Sequence, residues 1–487
     1  MSITLLALAN VSFLTSGELR YIGSLPPELS LDAEGTQLGQ GAVLDQRLRA
    51  GFELKSTEGP KWSLGTSWDL FTGQLVGDTW DAPGTIDERH REDLGVLDRG
   101  SFLPRKAGGS IEIGPIGISA GLTTSHWGLG MIANDGAHDP EFGRSDFGDR
   151  VLRLRLGTRP FQNGAFPLTV ALAGDRVVQD DLASMAAGQV AWQGVAAVLY
   201  QPKQGTLGLY GVYRDQTEPI LAGEFEPRTT RIGVIDLFGE VRAPVGKSEF
   251  RAGAEIAEAG GRTTRSQSYE SPDGLAVLSG GATGYLGIGR PRWEKGRDFC
   301  GAKVRAGWAS GDANPDDGTA ADFTFDRDYD AGMLLFDEQM GGIEVANYAL
   351  ITDPTYTGHA PDGAEVTVTE GSFRRAAFVQ PVVEVNPLPW VGLRAGVMAA
   401  WSTAPIAQSF YTFRNGGTPT NHLNQPTAGR ALGTEIDWAI RLGGVPVGSE
   451  TVAASPELLL QGAHLLGSKD MGAERATMLT GTVRARW

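Results

Sequence analysis

The chain has 487 residues, a formal net charge of −16, 68 glycines and a single cysteine. The lone Cys300 excludes an internal disulfide framework and any multi-cysteine metal site, and an acidic chain without a basic patch excludes nucleic acid as a partner. Glycine stands at about twice its usual share with no Pro/Gly-rich linker to account for it, which fits many strands joined by many tight turns.

No run approaches the roughly 18 apolar residues of a membrane-spanning helix, which leaves open a β-barrel, whose spanning strands are about ten residues long and half polar. Met1 to Phe13 lacks the basic segment that opens a secretory signal. The expectation is that a signal has been removed, or that the start is misassigned.

From Val43 the chain alternates. Leu44, Leu48, Ala50, Phe52 and Leu54 fall on one face, with Asp45, Arg47, Arg49, Glu53 and Lys55 on the other. A strand sorts such residues, whereas a helix would scatter them. After a turn at Thr57 to Pro60, Trp62, Leu64, Trp68 and Leu70 share a face. Gly73 to Gly100, with its charged run Asp87 to Asp93, reads as a solvated loop. Strands flank Gly114-Pro115, and a glycine- and asparagine-rich connection follows from His126 to Asp149. The next strand sets Leu152, Leu154 and Leu156 against Arg153, Arg155 and Arg159. The pattern recurs through Val190–Tyr200, Leu207–Tyr213, Thr230–Arg242, Phe250–Ile256, Cys300–Trp308, Arg375–Asn386, Val391–Trp401, Leu432–Leu442 and Thr451–Leu465.

Allowing for shorter segments, about eighteen strands are expected, within a range of roughly 16–20. Their connections alternate short (Gly114-Pro115, Pro387 to Pro389, Gly443 to Ser449) with long (Gly73 to Gly100, Gly260 to Arg297, Thr403 to Arg430). Gly311 to Met340 breaks the rhythm. Counting back from the C-terminus places it on the short-turn side, where it is too long, unless a hairpin lies hidden nearby; Ala276 to Gly289 is the candidate.

The chain closes on Ala476 to Trp487. Leu479, Gly481, Val483, Ala485 and Trp487 lie on one face, with Met478, Thr480, Thr482, Arg484 and Arg486 on the other. A terminal strand of this kind, together with the sorted strands and alternating connections, resembles the bacterial outer-membrane β-barrels of the alginate-export and porin-like group. The resemblance covers nearly the whole chain and implies one closed antiparallel transmembrane barrel over residues 1–487. It implies short periplasmic turns, long extracellular loops and a place in the bacterial outer membrane. Gly481, Val483 and Trp487 would form the signal read by the barrel insertion machinery. The barrel would sit among outer-membrane lipid and lipopolysaccharide, with periplasmic or surface export components as partners. A small solute or an exopolysaccharide would pass through an arginine-containing lumen narrowed by an inward loop. The alternative is a non-conducting scaffold whose loops anchor surface or envelope machinery. This chain departs from the group in the near balance of charge along its wall.

Eight cations are expected to line the solute path: Arg47, Arg49, Arg153, Arg155, Arg159, Arg305, Arg394 and Arg441. They either pair with carboxylates across the ladder or guide an anionic solute; Arg153, Arg155 and Arg159 are the least balanced set. Asp312, Asn314, Asp316 and Asp317 offer the oxygen ligands that calcium takes, without EF-hand spacing. No His-x-x-x-His or Cys-x-x-Cys pair marks a transition-metal site. No nucleophile elbow or nucleotide loop appears, so the chain reads as a non-enzyme without a cofactor, calcium aside. Residues 311–340 are expected to fold inward as a loop or plug, because Met333-Leu-Leu-Phe336 would be costly to leave in water, at roughly 1.5–3 kcal/mol per large apolar side chain.

Overall fold

Alternation of apolar and polar residues builds a ring of eighteen antiparallel strands in the computed structural model. The structure describes residues 3–8, 10–38, 42–76, 85–86, 102–145, 148–161, 166–220, 226–265, 268, 270–291, 298–314, 317–353, 355–356, 371–445, 447–448 and 453–487. The ring strands are β1 (Val11–Leu25), β2 (Val43–Ser56), β3 (Lys61–Val76), β4 (Phe102–Ile113), β5 (Ile116–Thr124) and β6 (Arg150–Thr158). They continue as β7 (Leu168–Gln179), β8 (Val190–Tyr200), β9 (Gly205–Thr217), β10 (Thr229–Val245), β11 (Ser248–Thr263) and β12 (Leu275–Pro291). The last are β13 (Asp298–Ala309), β14 (Ala376–Leu388), β15 (Val391–Ser402), β16 (Ala431–Gly443), β17 (Ala453–Gly467) and β18 (Arg475–Arg486).

Each strand pairs with its chain neighbours, and β1 pairs with both β2 and β18, from Glu18 opposite Arg486 to Leu25 opposite Leu479. Closure leaves no row of unpaired backbone groups facing lipid. The seam ends where the Gly17 N–H donates to the Trp487 carbonyl at 3.0 Å and the Trp487 N–H donates back to Gly17 at 3.1 Å. The indole lies directly over Gly17; a Cβ there would sit 2.7 Å from the ring atom Cε2.

Two ring strands escape the sequence pattern. The lipid side of β1 carries Thr15, Gly17 and Gly23 among its apolar residues, and the middle of β12 presents Gly280, Ala282 and Gly284. Small residues blur the alternation in both. The expected long connection from Gly260 to Arg297 is therefore corrected: it holds the end of β11 and all of β12. Counted back from the C-terminus through β18, β17, β16, β15 and β14, residues 310–375 join β13 to β14 on the long-loop side of the ring, which corrects the expected short-turn placement.

Exposed apolar side chains mark the outer wall. Leu152, Leu154 and Leu156 are exposed, as are Trp62, Trp192, Trp308, Trp401 and Trp438. A dry core would bury them; an outward apolar band flanked by aromatic residues is what lipid requires.

The packed core lies inside the ring, where two long-side segments meet the wall. Met131 and Phe142 come from residues 125–149, and Phe323, Phe325, Met333, Leu334, Leu335, Phe336 and Phe373 from residues 310–375. Phe378 on β14 and Met398 on β15 join them. The second segment then forms a π-helical turn, Leu335–Met340, and the helix α1, Gly341–Thr352. A second helix, α2 (Ser409–Arg414), caps the same end; its Phe410 N–H donates to Asn347 Oδ1 at 3.2 Å.

Candidate functional site

The strand period turns the arginines opposite the leucines into the lumen, and most meet acceptors there. Arg47 reaches Glu18 at 2.7 Å. Arg49 grips Asp69 with two bonds of 2.6 and 2.8 Å. Arg153 grips Asp175 with two of 2.7 Å. Arg305 donates to Gln380 Oε1 at 3.0 Å and to the Asp330 carbonyl at 2.8 Å. Arg441 donates to Asn386 Oδ1 and to the Gly443 carbonyl, each at 2.8 Å. Arg155 and Arg159 make no ion pair among the described residues. Bidentate pairs such as Arg153 with Asp175 stiffen the wall, and they hold those guanidinium groups away from a solute.

Residues 125–149 cross the lumen. Glycines make the path: Gly128, Gly130, Gly136, Gly143 and Gly148 all have positive φ. At Gly136 (φ +60°) a Cβ would press on the Gly148 nitrogen at 3.0 Å and on Asp328 Oδ2 at 3.1 Å. The wall and the second inward segment hold this loop from several sides. The Trp127 indole N–H donates to Asp236 Oδ1 at 2.6 Å, and the Leu129 N–H donates to Glu255. Asn134 N–H donates to Asp326 Oδ2 at 2.8 Å, and Ser145 Oγ to Asp328 Oδ1 at 3.1 Å. Residues 333–335 are held to β16, where Glu435 Oε1 accepts from Met333 (2.6 Å) and Leu334 (2.9 Å) and Oε2 from Leu335 (2.6 Å).

Below the loop, toward the short-turn end, lies a cavity of about 340 Å³. Arg20, Arg144, Arg394, Arg441, Arg484 and Arg486 line it, against Asp139, Glu141, Glu384 and Glu457, so six guanidinium groups face four carboxylates. Asp139 ties the loop to β18 through Arg484 (2.8 Å) and Arg486 (2.7 Å). Burial alone would raise its pKa, but the two arginines hold it well below the usual carboxylate range. Arg394 donates to the Glu141 carbonyl at 2.6 Å and to Glu384 at 3.0 Å.

Of the eight expected path residues, Arg394 and Arg441 line this cavity. Arg20 and Arg144 carry no signal in the sequence, because small residues blur the alternation of β1 and Arg144 lies in a loop without periodicity. The least balanced set, Arg153, Arg155 and Arg159, lies on and just past β6, away from the cavity.

In the aspartate cluster, Asp312 Oδ1 accepts from Asn314 N–H (2.9 Å) and Oδ2 from Ala321 N–H (3.2 Å), while Asp317 Oδ1 accepts from Thr319 N–H (2.7 Å). These carboxylates shape a turn, and Asp316 lies outside the described residues, as do His90, His359 and the run Asp87 to Asp93. Asp322 beside them pairs with Arg374 (2.7 Å) and Arg375 (2.9 Å). Gly481 and Val483 lie on the outward face of β18, Val483 exposed, and Trp487, just past the strand's end, packs over Gly17.

The structure does bring two histidines together. The His126 and His138 rings stack with centroids 4.2 Å apart, and Asp135 Oδ1 lies 3.1 Å from His138 Nδ1 and 3.9 Å from His126 Nδ1. The spacing of eleven residues between the two histidines gives no helical or hairpin signal. Only the glycine turns between them make the approach.

No family model and no curated protein matches the chain. Solved structures are similar to it. The outer membrane protein OprD from Pseudomonas aeruginosa aligns with a TM-score of 0.51 at 10% identity, over 97% of this chain and 93% of that one. OccK10 (OpdN) from Pseudomonas aeruginosa gives 0.51 at 11%, over 97% and 99%. OccAB2 from Acinetobacter baumannii gives 0.51 at 10%, over 97% and 98%. At such identities the likeness is one of fold. The chain is a closed eighteen-strand barrel of the bacterial outer membrane. Its fold likeness runs to the OprD and Occ barrels and gives no support to the alginate-export group.

Proposed function

We propose that the barrel is a non-enzymatic channel for small anionic solutes, selected at the arginine-rich cavity beneath the inward loop. The observation that carries this reading is that six guanidinium groups and four carboxylates line a cavity of about 340 Å³, with Glu18 and Asp45 behind the lining pairing with Arg20, Arg486 and Arg144. A surplus of cations at the lining of a low-dielectric lumen concentrates anions and repels cations. The volume lies in the range of small-molecule sites, roughly 300–1,000 Å³, and suits a small solute better than an exopolysaccharide. Residues 311–340 act in this reading as an inward plug that narrows the path, supported by the buried run Met333 to Phe336 and its three bonds to Glu435. Swelling of proteoliposomes in isotonic solutes tests it: entry of small carboxylates faster than of matched cations is expected, and equal or reversed rates contradict it.

The dense apolar packing inside the ring favours a second reading, a non-conducting scaffold. Liposomes that stay impermeable to every small solute would select it.

A further inference from the structure

We propose that His126, Asp135 and His138 form a binding site for one divalent transition cation of the zinc class on the inward loop of residues 125–149. The three side chains supply two imidazole nitrogens and a carboxylate oxygen whose candidate ligand atoms all lie within 4.8 Å of one another. Among the described residues no other three His, Cys, Asp or Glu side chains come together in this way. Two imidazoles and a carboxylate form a zinc-type donor set, with a fourth position left for water. Calcium and magnesium prefer all-oxygen shells.

The loop backbone sets the geometry before any ion arrives. The Trp127 N–H donates to the Ala133 carbonyl at 3.0 Å, closing the turn that returns Asp135 to His126. Gly130 (φ +83°) passes beneath the His126 ring, and a Cβ there would sit 2.7 Å from Asn134 Nδ2 and 3.5 Å from His126 Cε1. Arg105 on β4 holds the Asp135 carbonyl at 2.9 Å, and the Ala137 N–H holds Asp135 Oδ1 at 3.1 Å. Asp135 Oδ2 accepts no hydrogen bond among the described residues and so keeps a free ligand oxygen. Tetrahedral ligands at about 2.0–2.1 Å from a zinc ion lie roughly 3.3 Å apart, so ligand atoms within 4.8 Å of one another close by at most about 1.5 Å, through side-chain rotation of the exposed His138. The bound ion would tie the start of the crossing loop to its middle.

The test is equilibrium Zn²⁺ binding to the tag-free full-length barrel in detergent, with folding of every variant checked by heat-dependent migration. This readout does not depend on whether the channel conducts, so it fails or succeeds separately from the proposed transport. One Zn²⁺ per chain is expected, at least tenfold weaker in His138→Ala, His126→Gln and Asp135→Asn. His464→Ala should not change it, since that side chain lies on β17 against Thr477. With Cu²⁺ as a spectroscopic probe, electron paramagnetic resonance should show two nitrogen ligands, reduced to one in His138→Ala. Absence of Zn²⁺ binding by the parent, equal binding by the three variants, or a Cu²⁺ spectrum unchanged in His138→Ala would overturn the proposal.

Discussion

Glu435→Ala tests how the second inward segment is held. Glu435 is fully buried and accepts three backbone N–H groups, from Met333, Leu334 and Leu335 at 2.6, 2.9 and 2.6 Å. Hydrogen bonds to a charged group contribute roughly 1.5–3 kcal/mol each, and a donor stranded in a buried site costs about 1–3 kcal/mol. The three act together through one side chain, so a loss on the order of 4 kcal/mol is a cautious total. Against it stands the burial of Met333, Leu334, Leu335 and Phe336, roughly 6–12 kcal/mol for the four. The segment should therefore stay docked and open far more often, by nearly three orders of magnitude at 1.4 kcal/mol per tenfold. Glu435→Gln should fall between: one carbonyl oxygen remains, but its NH2 group faces a backbone donor. Hydrogen exchange at residues 333–335 measures the opening directly. Protection within tenfold of the parent in folded Glu435→Ala would refute the assignment of Glu435 as the anchor.

At the seam, Gly17→Val should displace the Trp487 indole, since even a Cβ crowds the ring; loss of heat-resistant migration on gels is expected, and parental resistance would count against the close packing. Asp322→Asn should loosen Arg374 and Arg375, leaving Arg374 its Glu344 contact at 3.7 Å, because burial raises the Asp322 pKa while the two arginines override it and hold it at about 2. Faster proteolysis near residues 371–375 would show this. His422 is buried, and burial depresses its pKa to about 4. It stays neutral in the folded loop and titrates near 6.5 when unfolded, so stability is complete above 6.5 and falls as the pH drops toward 4. Between pH 7.5 and 4.5 the loss amounts to about 2.5 kcal/mol. Amide protection at residues 421–425, corrected for intrinsic rates, should fall accordingly in the parent and much less in His422→Gln.

Fold was legible wherever large side chains alternate. Leu152, Leu154 and Leu156 against Arg153 and Arg155 announce a wall strand with no help from elsewhere. The closing strand announces itself in the same way, with Val483 outward and Arg484 inward. β1 and β12 were harder, because Gly17, Gly23, Gly280 and Gly284 stand where a bulky residue would mark the lipid face. The site was less legible than the wall. An alternating strand reveals that an arginine faces inward, but its partner sits on the next strand or in a loop more than a hundred residues away. Arg486 meets Asp139, and Arg394 meets Glu141. Whether a guanidinium is paired or available depends on those long-range contacts. The His126, Asp135 and His138 group depends likewise on turns at Gly128, Gly130 and Gly136, which leave no periodic trace.

The most direct measurement is the reversal potential of single channels in planar bilayers under a potassium chloride gradient. An open barrel with an arginine-rich vestibule predicts discrete conductance steps and a potential displaced toward that of chloride, with the displacement reduced when Arg394 and Arg441 are both replaced by Gln. A folded, heat-resistant protein that inserts and stays silent, or one whose potential moves toward that of potassium, would contradict it.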